Sequence, residues 1–331
     1  MKMTDLCCRT IAIARALSSR VPALRLPSAY CPLPTALCLL LSACSSTAVA
    51  QPRDAEAPFG AADAADFLQR LFGEDAPQDA DAVAGVEISV REEREYGDQA
   101  AEAYLRSLKR EGIRVVNRGR DVAYLRKLVE AIRPQMRNAD RYERIRVYLA
   151  DDPRTDARAF PGGTLVFFRG MLEFAESEAA LVGVIGHELS HLDRGHQLHH
   201  LRRMKLARES LAGGDPRQFL NGGVALMRMF THPFRPEDEA AADRDGATWA
   251  YRAGYDPRQL AALFLRAHRR DQDQPDLRPE FLRTHPFHIE RQQAIAETYD
   301  ELSLTEPRDD LYVGVRNLRE RVPRGEKEFE E

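Results

Sequence analysis

The stretch from Glu178 to His191 reads as one helix and carries His187-Glu188-Leu189-Ser190-His191, an H-E-x-x-H sequence. Residues four apart on a helix lie one turn apart on the same face, so the two imidazoles can reach one metal ion. Glu188 projects about 100° round from His187. From there its carboxylate reaches a water beside the metal rather than the metal itself, where it can take that water's proton and pass it to a leaving amine. With nine His and 27 Glu in 331 residues, a coincidental H-E-x-x-H is expected on the order of 0.02 times per chain. The pair therefore reads as a site. Catalytic zinc takes three protein ligands and keeps one position open, so the fold must bring a third ligand to this helix from elsewhere.

Cysteine does not supply that ligand. All five cysteines (Cys7, Cys8, Cys31, Cys38, Cys44) lie in the first 44 residues, ahead of any globular pattern, so a metal site in the folded part must use His and carboxylates. The best third candidate is Glu239, in Glu239-Ala240-Ala241-Ala242-Asp243. Glu239 and Asp243 are again one helical turn apart, which suits a carboxylate on the metal and a second one accepting a hydrogen bond from a ligating imidazole. The spacing leaves another reading open. Glu237, Asp238 and Glu239 would also suit an exposed helix N-terminus, where acids favour the helix dipole.

The N-terminus reads as an address. Lys2, Arg9, Arg15, Arg20 and Arg25 precede a short apolar run from Leu33 to Leu41, too short for the roughly 20 residues of a spanning helix, and the pattern is that of a secretory signal over 1–43. Two cleavage sites compete. Leu41-Ser42-Ala43-Cys44 resembles a lipobox, with Cys44 lipidated; Ala48-Val49-Ala50 fits ordinary signal peptidase. Both place the chain in the periplasm, and Ser45 after the cysteine favours, by resemblance, an outer-membrane lipoprotein over a free periplasmic protein. The chain's net charge is −4, and removing 1–43 takes away +4, leaving about −8. That mild acidity, with charges interspersed, excludes the concentrated basic face that nucleic acid needs.

Residues 44–84, rich in Ala, Asp and Pro, read as a tether; 85–305 as the globular domain; 306–331 as a charged tail. Helices are expected over Glu92–Arg110, Val122–Ile132, Glu176 to about His200, Val224–Phe230, Glu237–Ala253, from Asp256-Pro257 onward, and from Thr284-His285-Pro286 to about Leu302. Strands are expected at Ile145–Leu149 and Thr164–Phe168, the second entered through Pro161-Gly162-Gly163. The fold class is α+β, mostly helical, with a small sheet.

At this point the chain resembles the envelope and membrane gluzincins of the CAAX-prenyl-protease, HtpX, BepA and LoiP type, a family of zinc metallopeptidases. The resemblance covers roughly residues 90–300 and follows the family's order: Ala159-Phe160-Pro161-Gly162-Gly163, Gly170-Met171-Leu172, His187 to His191, Arg194-Gly195-His196, Arg235 through Glu239 and Asp243 to Gly246, Ala253-Gly254-Tyr255-Asp256-Pro257, and Thr284-His285-Pro286 with Glu290-Arg291. It implies a zincin-like domain with its sheet packed on the H-E-x-x-H helix, one Zn2+ per chain, and Glu239 as third ligand. It also implies that His285 can approach the zinc as a fourth ligand and hold the enzyme latent. Two positions depart from the pattern: Asp156 or Arg158 stands where the family has Asn, and Phe234 where it usually has Ser. The membrane helices and helical-repeat tail of some members are missing, so the match is to short, lipoprotein-like members.

Other residues carry weaker signals. His196, His199 and His200 fit a solvated helix face better than a second metal site, and His232 and His288 are similar. Arg235 and Arg291 fit structural ion pairs near Asp243 or Glu290 better than an oxyanion role. Thr164, Leu165, Val166 and Phe167 form a candidate edge strand for an extended peptide substrate, held by main-chain hydrogen bonds that ignore side-chain identity. The expected function is zinc-dependent endopeptidase action on unfolded or misfolded envelope proteins, with other envelope proteins as partners. The alternatives are a chaperone or binding module on the same fold and a zinc hydrolase of cell-wall material.

Overall fold

The computed structural model describes residues 83, 85–210, 234–273, 280–286 and 289–330. The expected signal, most of the tether and the helix expected over Val224–Phe230 lie outside these residues. The first helix, α1 (Val90–Arg110), starts where Ser89 accepts a hydrogen bond from the Glu92 amide while the Glu92 carboxylate accepts one from the Ser89 amide. This reciprocal cap satisfies two donors that a helix start leaves open. α2 (Arg120–Ile132) ends one residue before a short 3-10 turn containing Pro134.

Four strands form one sheet: β1 (Val115–Val116, between α1 and α2), β2 (Arg146–Ala150), β3 (Ala157–Phe160) and β4 (Thr164–Phe168), in the spatial order β1-β2-β4-β3. β2 and β4 are parallel, with Arg146 opposite Thr164. β3 and β4 form an antiparallel hairpin, with Ala157 opposite Phe167. Thr164, Leu165, Val166 and Phe167 therefore lie on an interior strand paired on both sides, and the edge strands are β1 and β3. The correction has a physical cause. Every residue of β4 is buried, so the strand reads as a continuous apolar run, the mark of a strand covered on both faces.

The sheet has one cluster on each face. Tyr96, Ala100, Tyr104 and Leu108 of α1 pack with Phe160, Val166 and Phe168 on one side. Leu149, Leu165 and Phe167 pack on the other side with α2 and with α4 (Glu178–Asp193), which follows the short α3 (Arg169–Phe174). All sixteen residues of α4 are buried. The helix expected to run on to His200 stops at Asp193. Gly195, at φ 65°, donates from its amide to the Leu192 carbonyl, and the His196 amide donates to the His191 carbonyl, a glycine C-terminal motif that ends a helix. α5 (Leu198–Ser210) then begins a separate helix.

Across α4 runs α6 (Pro236–Arg252), followed by α7 (Arg258–Asp273), the four-residue α8 (Phe281–Thr284), α9 (Ile289–Thr305) and α10 (Val315–Glu320). The α4–α6 crossing is made by glycines. A Cβ on Gly246 would lie 2.9 Å from the His187 amide nitrogen, and one on Gly186 would lie 2.9 Å from the Gly246 Cα. The boundary expected at 305 cuts through one packed unit. Val313 and Gly314 carbonyls accept from the first amides of α4, at Ala179 and Glu178, donors a helix cannot satisfy itself. The buried Glu178 carboxylate accepts from the Tyr124 and Tyr255 hydroxyls and the Arg324 amide. Among the described residues no helix is long and apolar enough to cross a membrane.

The crossing yields a prediction. Gly246→Ala forces backbone apart where no flexible side chain can yield, and overpacking of this kind costs about 1–3 kcal/mol. Gly325, whose added Cβ meets nothing within 4 Å, serves as control, with Gly325→Ala expected within about 0.5 kcal/mol of wild type. Urea unfolding midpoints of the two variants check this; equal midpoints would remove the crossing from the account.

Candidate metal centre

Three helices and one helix end converge. α4 contributes His187, Glu188 and His191, α6 contributes Glu239 and Asp243, His285 caps α8, and α9 contributes Arg291; all seven are buried. His187 Nε2 lies 3.1 Å from His191 Nε2 and 3.1 Å from His285 Nδ1. Glu239 Oε1 lies 3.4 Å from His191 Nε2 and 2.9 Å from His285 Nδ1, and Glu239 Oε2 lies 3.6 Å from His187 Nε2. Metal–ligand distances of about 2.0–2.1 Å in a tetrahedron imply ligand–ligand edges of about 3.4 Å. The observed edges bracket that value. Among the described residues this is the group of three or more His, Cys, Asp and Glu side chains that could hold a metal ion.

The outer partners assign the tautomers. His187 Nδ1 lies 2.9 Å from Asp243 Oδ1, so it carries the proton and donates it, leaving the Nε2 lone pair facing the centre. His191 Nδ1 lies 3.0 Å from His196 Nδ1, which likewise leaves the His191 Nε2 lone pair facing inward. Two inward lone pairs 3.1 Å apart repel unless a cation lies between them. Burial holds both imidazoles below the ordinary histidine pKa, hence neutral, as metal ligands must be. Burial would raise Glu239, but His285 and Arg291 outweigh it and hold the carboxyl well below its ordinary value. This donor set, nitrogen and carboxylate oxygen with no thiolate, fits Zn2+.

Glu188 stands outside the donor set. Its pKa is pushed well above the ordinary carboxylate range by burial, then by the charges of Asp156 and Glu239, against a hydrogen bond from the Ala159 amide. Its Oε1 has no hydrogen-bond partner and lies 3.3 Å from His285 Nε2. Arg291 makes two bonds to Asp243, at 2.6 and 2.7 Å, reaches Glu239 Oε2 at 2.8 Å, and donates to the His285 and Pro286 carbonyls. Its place is that of a structural ion pair. Arg235 instead pairs with Asp238, at 3.0 Å through both its Nε and Nη2.

Two residues have roles that spacing did not reveal. His196 is buried against His191 rather than solvated, and its Nε2 lies 3.5 Å from Asp238 Oδ1. A chain of contacts thus runs from Arg235 through Asp238 and His196 to His191. The missed signal was Gly195, which ends the helix and turns His196 back toward His191. Phe234 stacks on His191 at 3.9 Å and on His285 at 5.4 Å, while Phe281 stacks on His285 at 4.3 Å. His199 lies 3.4 Å from Arg235 Nη2; neither it nor His200 belongs to a metal-holding group among the described residues. Cys44, His232 and His288 lie outside the described residues.

Because His196 lies against the His191 imidazole, His196→Ala is expected to weaken Zn2+ binding about 10–100-fold, the usual cost of losing an outer partner of a ligand. His196→Asn, whose amide oxygen can accept the His191 Nδ1 proton, restores most of it. Competition against a chromogenic chelator measures both, and a urea midpoint run alongside separates affinity from folding. Equal affinity in wild type and His196→Ala would remove the orienting role.

Comparison with known proteins follows the same lines. The peptidase family M48 profile matches residues 123–299, just over half of the chain. The β-barrel assembly-enhancing protease of Escherichia coli (strain K12) is 29% identical over 157 residues, covering 42% of this chain and 31% of that protein. Its Yersinia pestis counterpart is 28% identical over 153 residues, with shares of 42% and 31%. The mitochondrial metalloendopeptidase OMA1 of Arabidopsis thaliana is 27% identical over 157 residues, covering 46% of this chain and 31% of that one. The chain thus matches about a third of the length of these relatives. Sequence order and family profile agree: the chain belongs to peptidase family M48.

Proposed function

We propose that the chain is a zinc-dependent endopeptidase of the cell envelope that cleaves extended segments of unfolded or misfolded proteins. The observation that carries this reading is a donor set of His187, His191 and Glu239 with a carboxyl, Glu188, beside it but outside it. Zn2+ held there supplies Lewis acidity, which acidifies a water and polarises a peptide carbonyl. The second half of the reading rests on β3. Its outer edge lies against Glu188 through the Ala159 amide, so a peptide added to that edge by main-chain hydrogen bonds would bring its carbonyl beside the base.

The chain's own groups divide the work. Glu188 takes the proton of the attacking water and returns it to the leaving amine. The raised proton affinity of Glu188 suits an acceptor that must hold a proton between those two steps. Asp243 and Arg291 fix the His187 ring, and His196 fixes His191. His285 Nδ1 occupies a fourth donor position, 3.1 Å from His187 Nε2, while its Nε2 faces Glu188. A site with four protein donors has no open position. In this reading His285 holds the enzyme latent and activity requires its withdrawal.

The names of the relatives, a β-barrel assembly-enhancing protease and a metalloendopeptidase, support a peptidase of membrane-bounded compartments. The lipobox-like Leu41-Ser42-Ala43-Cys44 supports anchoring through Cys44 to the outer membrane. Other envelope proteins are the expected partners.

Two measurements test the reading. Labelled casein, an unfolded protein, is cleaved by the zinc-loaded chain, and cleavage stops on chelation and falls by at least about a hundredfold in Glu188→Gln, the order of effect of a lost general base. Cleavage surviving Glu188→Gln would exclude this mechanism. His285→Ala raises the basal rate severalfold, read in the same assay; an unchanged or lower rate would remove the latency role.

A further inference from the structure

The outer edge of β3 is already occupied by the chain itself. Asp156 faces β4, because its carbonyl accepts from the Phe168 amide at 3.0 Å. Alternation along a strand then turns the amide and carbonyl of Thr155, Ala157 and Ala159 outward, toward the metal centre. The Thr155 carbonyl accepts from the Phe281 amide at 2.9 Å. The Ala157 amide bonds the Asp156 carboxyl. The Ala159 amide bonds Glu188, and the Ala159 carbonyl accepts from Gln197 Nε2 at 2.5 Å. An edge whose polar groups are capped cannot template another strand.

These four caps are not equivalent. Phe281 is held by backbone, Asp156 is paired with Arg158 at 2.8 Å, and Glu188 belongs to the reactive centre. Gln197 sits in the turn between α4 and α5, its side-chain nitrogen spent on this one bond. Its other amide atom, Oε1, is buried with no hydrogen-bond partner. A buried acceptor without a partner loses its hydration, a cost of the same order as the gain from one hydrogen bond. The capped position is therefore held weakly, and release rehydrates Oε1.

We propose that Gln197 stands in for a substrate backbone N–H at the Ala159 carbonyl, so that an extended peptide adds to β3 only by displacing it. The proposal rests on the peptidase reading above and gives that reading a determinant of substrate affinity in a residue outside the group of metal donors. Gln197 is a positioning residue: it sets the availability of the strand edge.

The test uses the full chain with Gln197→Ala, and Gln197→Met, which keeps the bulk but has no donor, in case the smaller side chain impairs folding. Two readouts are taken. One is KM and kcat for fluorescein-labelled casein with zinc bound. The other is the Kd for the same casein by fluorescence anisotropy in the Glu188→Gln background. Loss of one neutral hydrogen bond, about 0.5–1.5 kcal/mol, predicts KM and Kd about two- to tenfold lower in both variants, with kcat changed less than KM. A KM and Kd that are unchanged or raised would overturn the inference. If neither the zinc-loaded wild type nor zinc-loaded His285→Ala cleaves casein, the peptidase reading fails by itself, and the anisotropy series still decides whether Gln197 competes with a bound strand.

Discussion

Arg291 is a buried cation facing three carboxyl groups, Glu188, Glu239 and Asp243, and the geometry of the centre follows from how it distributes its bonds. Its fork grips Asp243, which fixes His187; its remaining nitrogen reaches Glu239 and the backbone of His285 and Pro286. The guanidinium also lies 4.5 Å over the Phe264 ring, a cation–π contact that favours a desolvated arginine. One residue of α9 thereby ties α6, α7 and the end of α8 to the ligands on α4. Removing one partner of such a buried group leaves uncompensated charge, typically 3–5 kcal/mol. Burial holds the Glu188 carboxyl well above the ordinary carboxylate range, and a divalent cation held beside it would lower that proton affinity.

What the sequence disclosed depended on how local the information was. His187, Glu188 and His191 are set by the period of one helix, and the spacing alone placed the two imidazoles together. Glu239 and Asp243 share a face for the same reason. That this face meets α4 depends on Gly186 against Gly246, a contact between residues sixty apart in sequence, and motif order was its indirect trace. β1, with two residues, and β3, with Ala157-Arg158-Ala159-Phe160, are too short and mixed to alternate visibly. With its partner unseen, Thr164–Phe168 could only look like an edge.

Helix ends were the second source of error, and the most costly for the site. Reading the zinc helix as continuous through His200 put His196 on the same face as solvated neighbours. Gly195 breaks that continuity and turns His196 and Gln197 in opposite functional directions, one onto the His191 imidazole and the other onto the Ala159 carbonyl. The charged segment beyond Glu306 was legible in composition and not in role. It offers two backbone carbonyls to the first amides of α4 and one backbone amide to the Glu178 carboxylate, and backbone groups leave no mark in residue chemistry.

His285 and Gln197 arrive from different parts of the fold and are held with different firmness. His285 is stacked between Phe281 and Phe234, and its carbonyl is held by Arg291. Gln197 is held by one hydrogen bond and a buried, unpartnered oxygen. Displacing Gln197 is thus the easier step. Phe281 donates its amide to Thr155 at the outer edge of β3 and lays its ring on His285, so one residue touches both the strand edge and the fourth donor.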